Sequence, residues 1–284
     1  MIKEFALMGV LTALLLAIGY VVGLIFGHPE EITFIALIFA AFMNVMSYLY
    51  SDRIVLTITG AKVVSEREAP ELHSIVEKVA LRAGIPKPRV AIVNSLVPNA
   101  FATGRNAKNA IVAVTKGLIN HLSRDELEAV IGHEISHIKH RDILISSMAA
   151  TIAGAIAYIA MMGRFSIFFA DEDRGAAPLL ALIAGILAPI AATIIQFAIS
   201  REREYKADEG SAKITLKPLA LASALEKIER VVRRGYSIKA NPATSSLWIV
   251  NPFRGDELLE LFSTHPPTWK RIERLKKLSL GLNP

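Results

Sequence analysis

Four long stretches of this sequence carry no charged residue: residues 5–27, 32–50, 143–163 and 178–199, of 23, 19, 21 and 22 residues. As a helix, each is long enough to cross about 30 Å of hydrocarbon. Between and after them the pattern becomes amphipathic. Residues 70–83 place Leu72, Ile75, Val76 and Val79 on one helical face, and Gly84, Pro86 and Pro88 stop that helix. Residues 89–94 and 109–115 read as short strands, with the segment 99–104 between them. Ser123 with Glu126 three residues on is a capping-box signature, which predicts a helix from Arg124 to His140. Further helices are expected around 219–234 and 268–278. The expected fold is α+β and predominantly helical. It comprises a transmembrane hairpin (1–50), an α/β part (51–142), a second hairpin (143–199) and a helical part (200–284). The two polar segments together form one domain outside the lipid.

Composition supports a chain that sits in a bilayer. Of 284 residues, 52% are hydrophobic and 20% charged, and the mean hydropathy is +0.42. The first apolar run reads as a retained span rather than a signal peptide: it is long, and no small-x-small cleavage site follows it. Lys and Arg near the span ends set the orientation. The loop 28–31 holds two glutamates and no Lys or Arg, and the loop 164–177 sets two arginines against Asp171, Glu172 and Asp173. The other flanks are richer: Arg53 and Lys62, then Lys139 and Arg141, then Arg201, Arg203 and Lys206. A multi-pass protein of the cell membrane is expected, with its N-terminus and both polar segments on the cytoplasmic side. The net charge of +6 belongs to this topology; no basic stripe interleaved with aromatics points to nucleic acid. The absence of cysteine excludes disulfides and cysteine-based metal or nucleophile chemistry.

The helix beginning at Arg124 contains His133-Glu134-Ile135-Ser136-His137, an HExxH motif. Residues four apart share a helix face, so the two imidazoles can bind one zinc ion. Zinc lowers the pKa of a coordinated water to about 7, and a glutamate beside the first histidine can accept its proton. A catalytic zinc takes a third protein ligand. His140 follows at helical spacing, but three histidines in a row along a straight helix point outward rather than around a tetrahedron. The stronger candidate is Glu204 in Arg201-Glu202-Arg203-Glu204-Tyr205-Lys206-Ala207-Asp208. Asp208, four residues on, shares its face and can hydrogen-bond the outer nitrogen of a ligating histidine. Glu202 is the nearest rival to Glu204.

These residues carry a family resemblance. The HEISH motif, REREYKAD after a two-span hairpin, and Thr264-His265-Pro266-Pro267 with Arg271 resemble the HtpX family of membrane zinc proteases, to which the CAAX prenyl proteases are related. The likeness covers essentially the whole chain. It implies a cytoplasmic domain of the gluzincin type, one Zn2+ held by His133, His137 and Glu204, and Glu134 as general base and acid. It implies Asp208 as the partner of a ligating histidine and Arg271 as the partner of an acidic group of the site. Asn99-Ala100-Phe101-Ala102 is similar to the edge strand of thermolysin-like enzymes, which implies substrate binding there. His265 is implied near the zinc as oxyanion stabiliser or substrate orienter; Tyr205 and Tyr236 are further candidates for that role. The family implies quality control of misfolded membrane proteins, so the expected partners are membrane-protein or peptide substrates and the bilayer.

Three alternatives use parts of the same pattern. A prenyl protease has the same site and different substrates. A site-two intramembrane protease carries HExxH within an apolar span, whereas Arg124, Asp125, Glu126, Lys139, His140 and Arg141 surround it here. A metal-binding scaffold without proteolysis would have no need of Glu134.

Overall fold

A computed structural model describes residues 2–152, 201–234, 247–250 and 266–282. The chain opens with two helices that fold back on each other, α1 (Ile2–Phe26) and α2 (Pro29–Thr59). Pro29 at the start and Glu30 and Glu31 in the first turn favour the beginning of α2. Gly60, left-handed at φ 66°, ends it by donating to the Leu56 and Thr57 carbonyls. Asn44 Nδ2 donates to Thr12 Oγ1 across the hairpin at 3.0 Å. Phe34, Ile35, Ile38 and Phe42 are exposed on α2, an apolar surface suited to lipid. Among the described residues, α2 is the one helix long and apolar enough to cross a membrane.

The second apolar run ends at Tyr50, but the helix that contains it does not. α2 continues through the boundary expected after residue 50 and runs to Thr59. Ser51, Asp52, Val55 and Thr59 are buried at helical spacing, and Asp52 pairs with Arg89 at 3.2 Å. The polar domain thus grips the end of the helix, which removes the need for a linker. The third run is described as a helical segment, Ile143–Ile152; the rest of it, and the whole fourth run, lie outside the described residues.

The polar domain is built on a sheet of four strands, β1 (Ala61–Val63), β2 (Arg89–Val93), β3 (Ala100–Thr103) and β4 (Ile111–Thr115), in the order β1-β2-β4-β3. β2 and β4 are parallel, with Val90 opposite Val112, and the outer pairings are antiparallel. β1 is too short to announce itself in the sequence. α3 (Pro70–Ala83) covers the sheet with the expected face of Leu72, Ile75, Val76 and Val79. All five residues of β4 are buried. So are all four of β3, although β3 ends the sheet. A short α4 (Lys116–His121) follows, capped by Thr115 Oγ1, which accepts from the Leu118 amide at 3.0 Å.

α5 (Arg124–Lys139) runs through the centre of the domain, and residues 126–136 of it are all buried. Its capping box forms as expected: Glu126 Oε2 accepts from the Ser123 amide at 2.7 Å, and Ser123 Oγ from the Glu126 amide at 3.4 Å. After α5 the chain turns at Arg141, left-handed at φ 62°, into the segment α6 (Ile143–Ile152). The remaining helices are α7 (Arg201–Thr215), α8 (Pro218–Arg233) and α9 (Thr268–Ser279). α8 and α9 match the stretches expected at 219–234 and 268–278 to within a residue or two, and α7 adds a helix for which no bounds were expected.

α5 and α7 approach closely because small residues face each other. A Cβ at Gly210 would run into the Ser136 side chain, and one at Gly132 would lie 2.6 Å from Thr215 Cγ2. Ser211 Oγ fills the remaining space by donating to the Ala129 carbonyl at 2.6 Å. Adding side-chain volume to such a contact costs about 1–3 kcal/mol. Gly210→Val is therefore expected to lower the thermal midpoint of the detergent-solubilised protein, whereas Lys213→Ala, on an exposed part of α7, should leave it unchanged.

Candidate metal centre

The close α5–α7 crossing sets two histidines of one helix against two carboxylates of the other. His133 Nε2 and His137 Nε2 are 3.2 Å apart. The two oxygens of Glu204 face them, Oε2 at 3.7 Å from His133 Nε2 and Oε1 at 3.5 Å from His137 Nε2. A tetrahedral metal with bonds of about 2.0–2.1 Å needs ligand atoms about 3.3 Å apart. The donor set of two imidazoles and one carboxylate therefore fits a single divalent cation.

The outer nitrogens are taken as well. His133 Nδ1 lies 2.9 Å from Asp208 Oδ1, and His137 Nδ1 lies 3.3 Å from Asp142 Oδ2. With each Nδ1–H donated to a carboxylate, both Nε2 atoms are left as acceptors facing each other. That arrangement calls for a positive charge between them. The proton affinities express the same demand. Burial pulls His133 down to about 4. Burial lowers His137 too, but Asp142, Glu204 and Glu134 outweigh it and leave that imidazole above its ordinary value.

Asp142 was not among the residues singled out from the sequence. It reaches His137 because Arg141 adopts a left-handed backbone, which swings the next residue back over the end of α5; the Asp142 amide donates to the His137 carbonyl at 3.0 Å. Arg203 of α7 stands behind it, with Nη1 3.6 Å from Asp142 Oδ1. The HExxH spacing gave no sign of this partner. A left-handed residue other than glycine rarely shows in a sequence.

Arg271 of α9 grips Asp208 with two bonds, Nε to Oδ2 at 2.9 Å and Nη2 to Oδ1 at 2.7 Å. It is 1% exposed, so its charge acts with little screening. Its Nη1 lies 3.7 Å from Glu204 Oε2. Burial raises the affinity of Asp208 for a proton, but Arg271 and His133 more than reverse this and hold it ionised. Glu134 is buried beside these groups, and burial pushes it up to about 8, with the Ala102 amide pulling the other way. A dication at the three ligand atoms would favour the carboxylate form.

Asn99 and β3 line the same region. Asn99 is fully buried, and its side chain brackets one residue of the segment 247–250: Nδ2 donates to the Val250 carbonyl at 2.7 Å, and Oδ1 accepts from the Val250 amide at 3.4 Å. The Ile249 amide donates to the Ala100 carbonyl at 3.1 Å, and Arg271 Nη1 donates to the Ile249 carbonyl at 2.8 Å. Phe101 meets Trp248 edge to face at 5.0 Å.

The structure thus brings together His133, Glu134, His137, Glu204, Asp208 and Arg271, with Asn99, Ala100 and Phe101 alongside. His140 is exposed and bonded to Ser136 Oγ at 3.2 Å, away from the cluster. Glu202 is likewise exposed and paired with Lys206 at 2.7 Å. Tyr205 lies under the Arg274 guanidinium at 4.3 Å. His265 and Tyr236 lie outside the described residues.

Comparison with known proteins agrees with this chemistry. The model of Peptidase family M48 matches residues 66–279. A protease HtpX homolog of Pyrococcus furiosus is 60% identical over 99% of this chain and 96% of its own. That of Methanocaldococcus jannaschii is 53% identical over 98% and 96%, and that of Aquifex aeolicus 48% over 94% and 89%. Among solved structures, S. mikatae Ste24p is similar with a TM-score of 0.50 at 19% identity, over 97% of this chain and 65% of that chain, a likeness of fold alone. With the family model spanning both helices of the cluster and relatives of this identity covering nearly its whole length, the chain belongs to peptidase family M48, as a membrane metalloprotease of the HtpX type that hydrolyses peptide bonds.

Proposed function

We propose that this protein is a zinc-dependent endopeptidase, with His133, His137 and Glu204 as the metal ligands and Glu134 as the group that moves the proton. One observation carries the reading: two imidazole nitrogens and a carboxylate converge within 3.7 Å of each other, and both outer imidazole nitrogens rest on aspartates. Bound zinc supplies Lewis-acid polarisation of the scissile carbonyl and of the attacking water. Glu134 accepts the proton of that water and returns it to the leaving amine nitrogen. Asp208 and Asp142 fix the tautomer and ring orientation of the ligating histidines, and Arg271 and Arg203 hold those aspartates in turn. Extended substrate pairs with β3, and Asn99 adds its side-chain amide. His265 is assigned to oxyanion stabilisation or substrate orientation on the family resemblance.

The membrane sets the substrate class. α5 ends three residues before the apolar segment Ile143–Ile152, and Glu204 follows the fourth apolar run by five residues. In a four-span topology the zinc then lies close to the cytoplasmic surface. This favours membrane proteins with exposed cytoplasmic segments, above all misfolded ones, over freely soluble substrates.

Three measurements test these points. In the detergent-purified protein, Glu134→Gln should retain one zinc per chain and lose casein cleavage by at least about 100-fold, the scale of general acid–base catalysis; full activity in that variant would exclude the mechanism. Asp142→Ala should weaken zinc by about 10–100-fold in a chelator competition, as loss of such outer partners does. Asp142→Asn should recover much of this, because its amide oxygen still accepts. Finally, the chain has no cysteine, so Asp171→Cys introduces a single thiol. It should label with a membrane-impermeant maleimide from outside intact cells; labelling only from the cytoplasm would overturn the topology.

A further inference from the structure

An edge strand that receives a peptide must offer main-chain groups facing away from its own sheet. In β3 these belong to the alternate residues Ala100 and Ala102. The Thr115 amide donates to the Asn99 carbonyl at 2.9 Å, which turns the Asn99 main chain toward β4 and that of the next residue outward. Yet the outward carbonyl of Ala100 is already engaged. The Ala100 carbonyl accepts from Ile249, and both polar atoms of the Asn99 side chain bond the Val250 main chain. Arg271 takes the Ile249 carbonyl. Two successive residues are thus held through four main-chain groups, one on the edge strand itself and three on the side chains of Asn99 and Arg271, so the contact reads main chain rather than side-chain identity.

The burial agrees. β3 ends the sheet and still has no exposed residue, and residues 247–250 are themselves buried, with Trp248 sealed against Phe101. The occupant, Leu-Trp-Ile-Val, is apolar throughout, and it meets the edge as a bend rather than as a fifth strand.

We infer that residues 247–250 form an internal strap that lies on the substrate-binding edge and competes with peptides for it. The inference rests on the reading of β3 as the peptide edge. A substrate and the strap require the same Ala100 carbonyl and the same Asn99 amide, so the protease accepts a peptide only when the strap is released. The best competitors are peptides of the strap's own chemistry: apolar and with unpaired main-chain groups, as in a membrane protein that has lost its fold. Arg271 couples the two events. It holds Asp208 whether or not the strap is in place, and releases an N–H toward the incoming carbonyl only when Ile249 leaves.

The test uses the full-length, zinc-loaded protein in detergent. Ile249→Pro removes the amide that donates to Ala100. If the strap occupies the edge about nine-tenths of the time, its loss lowers KM for a fluorogenic casein-derived peptide about tenfold with kcat unchanged. An unchanged or raised KM would overturn the proposal. Should that variant fail to fold, hydrogen exchange on Glu134→Gln, which binds without turnover, decides instead. The Ile249 and Val250 amides should be protected in the free protein and exchange freely at saturating peptide. Protection unchanged with peptide bound would exclude the strap alone. No cleavage by the wild type and no peptide binding would remove the peptidase reading, and the strap with it.

Discussion

A concentration of buried carboxylates is the constraint from which the rest of the site follows. Glu134, Glu204 and Asp208 are all buried, and among the described residues Arg271 is the buried cation beside them. With the carboxylates ionised, three negative charges sit together in a region shielded from water, where such charge is costly unless cations meet it, and this sets up a demand for positive charge. Two neutral imidazoles with their inner lone pairs face to face add to the demand. A divalent cation at those lone pairs meets it in one stroke, whereas protons meet it only piecemeal, on Glu134 and His137. The fold therefore holds its most expensive groups where one ion can neutralise them together.

Helix packing makes that concentration achievable. His133 and His137 come from one helix, Glu204 and Asp208 from another, and their side chains are short. They meet because Gly132, Gly210, Ser136 and Ser211 allow α5 and α7 to approach with almost no side chain between them. The capping box fixes where α5 begins, and hence which residues its buried faces present. The left-handed turn at Arg141 fixes where it ends and delivers Asp142 to the second histidine. His133, His137, Glu204 and Asp208 all lie within helices, so their mutual geometry is as rigid as the packing.

What could be read from the sequence, and what could not, follows the range of the interactions. The spacing of four in HExxH and in Glu204 to Asp208 is local, and so the ligand face of each helix was legible. The strands at 89–94 and 109–115, the helix at 70–83 and the capping box were local too. Asp142 was not legible, because its role depends on one unusual backbone conformation. Nor was the continuation of α2 past Tyr50, since Ser51 and Asp52 read as the end of an apolar run and are buried only by contact with the folded domain. The segment 247–250 was the least legible of all. Four apolar residues in a row fit a strand, a helix or a core equally well, and their partner Asn99 lies 151 residues away from Val250.

That last separation bears on how a membrane protease can remain harmless to its own surroundings. Zinc chemistry is indiscriminate toward any peptide bond brought within reach, so control has to act on access. In this structure the proposed binding edge is met by a segment held mainly through its main chain, the one feature that every peptide shares. Such an occupant excludes all peptides equally, and it yields to those presented at high local concentration. In the proposed topology a bilayer supplies that concentration by confining an unfolded segment near the metal centre, where its effective molarity far exceeds that of a soluble peptide. Placement at the membrane surface and a competing strap then act as one filter, in which substrates are chosen less by sequence than by being extended, apolar and close.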